Sequence, residues 1–279
     1  MMTHDRFEVV VEVVPPSGAD AEPLLAALEG INDLSFNGFS VATNPVAKPR
    51  MDALSLCRIL QDELKRPATL HVTTRDHNRL SLQGILWGAK ALGIKSVLVM
   101  TGDFVPLAEK GITSSVRDIS LTDLIKMARK AGLTTGVVMN PFTDELRLGI
   151  AMKRLKEKVA AGAQFVVTQP VYTARDAELL AEALNPLGIP AHLGLLPLRT
   201  FRHAAFLHHK VSGIEVPEEV RSAMAKAENP TAEGIRLTRD LLATARQHFH
   251  GACIMPPFDH FEILHGVLPR EGNTGPTSK

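Results

Sequence analysis

Phe7-Glu-Val-Val-Val-Glu-Val-Val-Pro-Pro16 is the stretch whose reading decides the fold. Its valine-rich run predicts a strand buried on both faces, as in parallel sheets. A double proline ends it, where a doubly wound sheet would more often show a glycine-rich dinucleotide turn. Glu12 stands just before that stop. A charge there is either a solvated strand residue or a working one, because barrel folds carry their chemistry at the C-terminal ends of strands.

Outward from this run the pattern repeats. Further apolar runs occupy 38–42, 68–73, 96–101, 134–139, 164–168, 191–195 and 251–255, and the first spans 7–14. Amphipathic stretches at 52–64, 80–92, 121–131, 153–161 and 176–184 separate them, three being stopped by Gly93, Gly132 and Gly162. Residues 201–249 read as three helices, the middle one opening at Pro217. Eight strands with intervening helices predict an α/β fold, a (β/α)8 TIM barrel in a single domain with extra C-terminal helices. The barrel is assigned to 1–268 and a loose tail to 269–279.

Composition narrows the function. The 279 residues carry 31 basic and 30 acidic side chains, a balance unlike that of a general nucleic-acid binder or a polybasic membrane-surface protein. No apolar run approaches the ~20 residues of a membrane span, and no signal-peptide pattern precedes the first strand. Cys57 and Cys253 are far apart and read as buried thiols in a reducing cytoplasm, not as a zinc site. Phosphate-loop, zinc-protease and serine-elbow motifs are missing. His208, His209, His248, His250, His260 and His265 show no persuasive ligand spacing, so no metal is assigned.

A barrel demands that functional groups gather where strands meet their following loops. Those positions hold Glu12, Ser40, Thr43-Asn44, His71, Thr73-Thr-Arg-Asp76, Thr101-Gly-Asp103, Asn140, Gln169 and Tyr172. Each alone reads as readily as a turn or capping residue. Together they predict a polar ligand meeting a carboxylate pair, Glu12 and Asp103, across the barrel mouth. His71 lies inside an apolar strand, where a hydrogen-bonded core histidine is the bland alternative. Lys153-Arg-Leu-Lys-Glu-Lys158 reads as a solvated helix face or, in part, an anion site.

Five segments in register resemble the methylenetetrahydrofolate reductases, flavin-dependent (β/α)8 barrels of one-carbon metabolism. They are Val11-Glu-Val-Val-Pro-Pro16, His71-Val-Thr-Thr-Arg-Asp76, Val99-Met-Thr-Gly-Asp103, Ala161-Gly-Ala-Gln-Phe-Val-Val-Thr-Gln169 and Gly194-Leu-Leu-Pro-Leu198. Arg75-Asp-His-Asn78 and Thr168-Gln-Pro-Val-Tyr172 look closest to reductase halves fused to bacterial homocysteine methyltransferases, a partner for which this chain has no room.

The resemblance implies a reaction of methionine biosynthesis. Reduced nicotinamide (NADH or NADPH) gives hydride to FAD, which reduces 5,10-methylenetetrahydrofolate to 5-methyltetrahydrofolate. It implies Glu12 as general acid, with Val11, Val13 and Val14 as the apolar setting that raises its pKa. Asp103 would sit by the pterin and favour a cationic intermediate. Gln169, with Tyr172, would contact the folate. Ser40, His71, Thr101, Gly102, Asp103, Asn140, Arg154 and Lys158 would hold FAD, Gly102 by permitting close backbone approach. Other readings of the same residues are a folate-binding barrel that transfers a methyl group, and a weakly FAD-retaining subunit of a larger complex. A homo-oligomer or a partner redox subunit is compatible with all of them.

Overall fold

A computed structural model describes residues 7–106, 112–142, 144–211 and 213–272. Eight parallel strands close into one barrel in sequence order: β1 (Glu8–Val13), β2 (Gly38–Val41), β3 (Ala68–Thr73), β4 (Ser96–Met100), β5 (Thr134–Met139), β6 (Phe165–Pro170), β7 (Ala191–Leu195) and β8 (Gly251–Ile254). The first and last strands pair directly, Val10 opposite Cys253 and Val11 opposite Ile254. The TIM-barrel expectation holds.

Nine helices are described: α1 (Glu22–Glu29), α2 (Ala53–Glu63), α3 (Arg79–Ala91), α4 (Leu121–Lys130), α5 (Glu145–Ala160), α6 (Ala174–Leu184), α7 (Phe201–Lys210), α8 (Glu218–Lys226) and α9 (Pro230–His248). The extra helices fall between β7 and β8; only short 3-10 turns follow β8 among the described residues. Side-chain caps explain many helix starts. Asp52, Asn78, Ser120, Asp144, Thr173, Thr200 and Asn229 each accept from a backbone N–H of the first turn. Pro217 lies one position earlier than expected, at the cap of α8.

Strand alternation divides the core. Val9, Val11 and Val13 join Leu56, Leu60, Leu82, Leu124 and Val137 in the layer between barrel and helices. Leu98, Val167 and Cys253 fill the lumen, with Val10, Met100, Val138 and Met255 packed on them. A third cluster lies under α7 and α8.

The loose tail does not begin at 269. Arg270 bridges Leu34, Ser35 N–H donates to the Pro269 carbonyl at 2.8 Å, and Glu271 pairs with Arg66 at 2.9 Å. Backbone pairing and a partly buried cation anchor this segment; the remainder of the assigned tail, 273–279, lies outside the described residues.

Candidate active site

Glu12 faces the lumen because Val11 and Val13 face out. Residues adjacent in a strand lie on opposite faces, so those valines are not its apolar setting. The lumen supplies that setting. Ser40 is its register partner on β2, and the buried Cys253 thiol on β8 is near enough to feel its charge. Burial, and then the charge of Asp103, push the Glu12 carboxyl up from 4.5 to about 7. No hydrogen bond or ion pair engages the Glu12 side chain among the described residues. It is half-buried at the mouth, desolvated yet free to bond a ligand.

Ser40 and His71 meet, with Oγ and Nε2 2.7 Å apart. Both are buried, and burial drives His71 down to about 4, so the imidazole is neutral over the physiological range. His71 is thus a core histidine with a partner, and that partner is the register neighbour of Glu12.

Asp103 lies on the loop after β4 with its side chain exposed, and its Oδ2 accepts from Val46 N–H at 2.6 Å. Strand β4 stops at Met100, leaving Thr101 exposed on that loop. Gly102 has φ +81°, and a Cβ there would lie 3.0 Å from the Arg75 Cβ and 3.2 Å from the Thr73 Cβ. Glycine is therefore required by packing within the chain itself.

Gln169 stands at the end of β6, where the β6–β7 register shifts between Val167 and Pro170. Gly194 makes this possible: a Cβ there would collide with the Thr168 carbonyl oxygen and crowd the Gln169 backbone. One expected site residue packs elsewhere. Tyr172 is packed in the cluster beneath α7 and α8, its hydroxyl buried without a partner, because the chain has turned outward after the β6 bulge. The exposed Asn140 lies against Gly213, where a Cβ would sit 3.1 Å from Asn140 Nδ2. A cavity of about 150 Å³ lined by Pro141, Pro170, Asp176, His208, Glu215 and Arg221 adjoins this second region and excludes the Glu12 group.

Residues 1–249 match the family model described as methylenetetrahydrofolate reductase. The chain belongs to this reductase family. A Caenorhabditis elegans relative named "Probable methylenetetrahydrofolate reductase (NADPH)" is 28% identical over an alignment covering 78% of this chain and 36% of the relative. "Methylenetetrahydrofolate reductase 1" of Schizosaccharomyces pombe is 22% identical over 70% of this chain and 35% of its own length. The chain thus spans about a third of the length of these relatives. Among solved structures, a Clostridium thermocellum protein described as binding two copies of 5-methyl-5,6,7,8-tetrahydrofolic acid has a TM-score of 0.68 at 14% identity, covering 94% of each chain. That likeness establishes the shared barrel.

In this member of the reductase family, α5 differs from the other barrel helices. Leu155 is its one buried residue, while Leu146 is 75% and Ile150 47% exposed. Phe104 and Ile112, on the loop after β4, are also exposed. Arg154 is exposed, and Lys158 lies one turn on, donating to the Val138 carbonyl at 2.7 Å. Burial, then the neighbouring Arg154 charge, lowers the Lys158 pKa. Sequence reasoning started this helix at 153 and missed its first two turns, although Asp144 offers the capping signal.

Arg75 is the residue that sequence reasoning quoted but gave no task. It is 3% exposed and joins the loops after β2, β3 and β4. A basic residue directly after an apolar strand and directly before an acid was the available signal. Among the described residues no group of three His, Cys, Asp or Glu could hold a metal ion, and no helix is long and apolar enough to cross a membrane.

Proposed function

We propose that the chain reduces 5,10-methylenetetrahydrofolate to 5-methyltetrahydrofolate at this barrel mouth, with FAD as cofactor and NADH or NADPH as electron donor. The observation that carries the reading is Glu12: a desolvated carboxyl, raised to about 7, with no bond of its own, in a chain of the reductase family. A general acid works best with a pKa near the operating pH, and positioned proton transfer contributes about 10²–10⁴-fold. Glu12 would give its proton to a ring nitrogen of the folate as the imidazolidine opens. Asp103, whose charge faces Glu12, would favour the cationic iminium so formed. Gln169 would orient the pterin, since an amide both donates and accepts.

The residues present fit FAD. Ser40 and His71 offer a hydroxyl and a neutral imidazole, Thr101 and Gly102 offer loop backbone, and Arg154 and Lys158 offer two cations one turn apart for a diphosphate. The exposed Phe104, Ile112, Leu146 and Ile150 are apolar surface of the sort a planar ring system covers. When bound, FAD supplies the hydride carrier that no side chain can. Asn140 would join this set from its place beside Gly213.

The test is Glu12→Gln in the flavin-loaded protein. Flavin binding and its reduction by nicotinamide should persist, while folate reduction falls by about 10²-fold or more. Wild-type folate reduction by this variant would remove Glu12 from the chemistry.

A further inference from the structure

Three loops converge on one buried guanidinium. Arg75 forms a two-pronged ion pair with Asp76, whose second contact, from a terminal nitrogen to Oδ2, is 2.7 Å. The same side chain donates to the Asn44 carbonyl at 2.9 Å, on the loop after β2, and to the Asp103 carbonyl at 3.3 Å, on the loop after β4. Its own carbonyl accepts from Val116 N–H at 2.8 Å, tying down the far end of that loop. Asp76 also accepts from Asn44 and from Thr73, each at 3.2 Å.

The loop so gripped is strained. Asn44, Val46 and Ala47 have φ of 41°, 50° and 56°. Positive φ at a β-branched valine is a genuine outlier, and such residues cost about 1–3 kcal/mol each. Val46 is nevertheless 60% exposed, so packing of its side chain does not repay that cost. Its backbone N–H is what the fold presents, and Asp103 Oδ2 takes it. Stability is a poor reason for the ion pair as well. Desolvating two charges costs several kcal/mol, and well-packed apolar replacements often do as well or better. Geometry is the better reason: a rigid planar fork can hold three backbones in one arrangement, as a flexible ammonium cannot.

We propose that Arg75 is a positioning residue of the reaction: by fixing the Asp103 backbone and the strained loop after β2, it holds the Asp103 carboxylate in its place opposite Glu12. The inference rests on the assignment of Glu12 and Asp103 as the reacting pair. Arg75 has no described bond to Glu12. It acts through the loop, and a displacement of about 1 Å at such a group costs about 10²-fold in turnover.

The experiment is a double-mutant cycle on the folate-free protein, with the Glu12 carboxyl titration followed by carbon-13 NMR of labelled glutamate. Titratable groups facing Glu12 are Asp103 and the Cys253 thiol, and the His71 ring reaches it through Ser40. Asp103→Asn should lower the Glu12 midpoint by removing a like charge. Arg75→Lys should lower it in the same direction, and the double variant should go no lower than Asp103→Asn alone. Turnover of Arg75→Lys should fall by about 10²-fold, mainly in kcat. If Arg75→Lys folds poorly, Asp76→Asn, which removes the partner of the guanidinium, should give the same non-additive pattern. A changed melting temperature with an unmoved Glu12 midpoint, or shifts that simply add, would overturn the proposal. These titrations need no catalysis, so they separate failure of the Arg75 role from failure of the reductase reading, which Glu12→Gln tests.

Discussion

The two halves of the barrel mouth are built differently. From β1 to the loop after β4, polar groups other than Glu12 are bonded to one another: Ser40 to His71, Arg75 to Asp76, Asn44 and Asp103, and Asp103 to Val46. Behind them α2 buries Ala53, Leu56, Cys57 and Leu60. From β5 to β6, Gln169 has no described side-chain bond, and α5 buries Leu155 alone. One half is largely finished by the chain; the other presents an unbonded Gln169 and the exposed Arg154, Leu146 and Ile150. Reacting groups that must keep their geometry belong on the first half, and surface that a ligand completes belongs on the second.

The largest expected contrast is in packing. Leu56→Ala should destabilise by about 2–5 kcal/mol, whereas Ile150→Ala should stay within about 0.5 kcal/mol, in denaturant unfolding of the ligand-free protein. Equal costs would erase the distinction between the halves. Next comes cofactor retention. Arg154→Gln combined with Lys158→Gln should weaken FAD by about 10²-fold, read from flavin retained on gel filtration, since each charged hydrogen bond contributes about 1.5–3 kcal/mol.

The pH dependence of stability probes the finished half. The folded protein holds the Glu12 proton up to about 7, while the unfolded chain releases it near 4.5. A raised pKa of this kind contributes stability that is complete below about 4.5 and lost as pH rises through about 7. Glu12→Gln should remove that slope, so that its stability relative to wild type climbs across this window and levels off above it. A parallel pair of pH profiles would mean the carboxyl is solvated. The smallest effect is Ser40→Ala, which strands a buried imidazole and should cost about 1–3 kcal/mol with or without flavin, as measured by thermal unfolding.

Much of this was legible beforehand for physical reasons. Parallel strands buried on both faces read as continuous apolar runs, so 68–73, 134–139 and 191–195 match β3, β5 and β7 end to end. The helix α1 was missed because eight residues with little polar contrast carry a weak period. The start of α5 was missed because its first turns expose Leu146 and Ile150 and bury no residue fully, and amphipathic pattern is written by packing. Glu12 was visible as a charge in a valine run, but its desolvation was ascribed to its neighbours in sequence instead of those across the lumen. Tyr172 reads from sequence as a strand-end polar group, but after a register shift that sequence does not mark it packs into the apolar cluster under α7 and α8.

The pairing of β1 with β8 has a consequence for how the protein is made. Glu12 shares its lumen with Cys253, and Glu8 pairs with Gly251, so the oldest strand waits for the youngest. During synthesis the growing sheet has two open edges, at β1 and at whichever strand has last emerged, and unpaired edges invite association. Closure comes only once the long α7–α9 excursion has been translated and β8 follows it. Chains stopped before Gly251 should therefore accumulate as aggregates rather than as weakened but folded barrels.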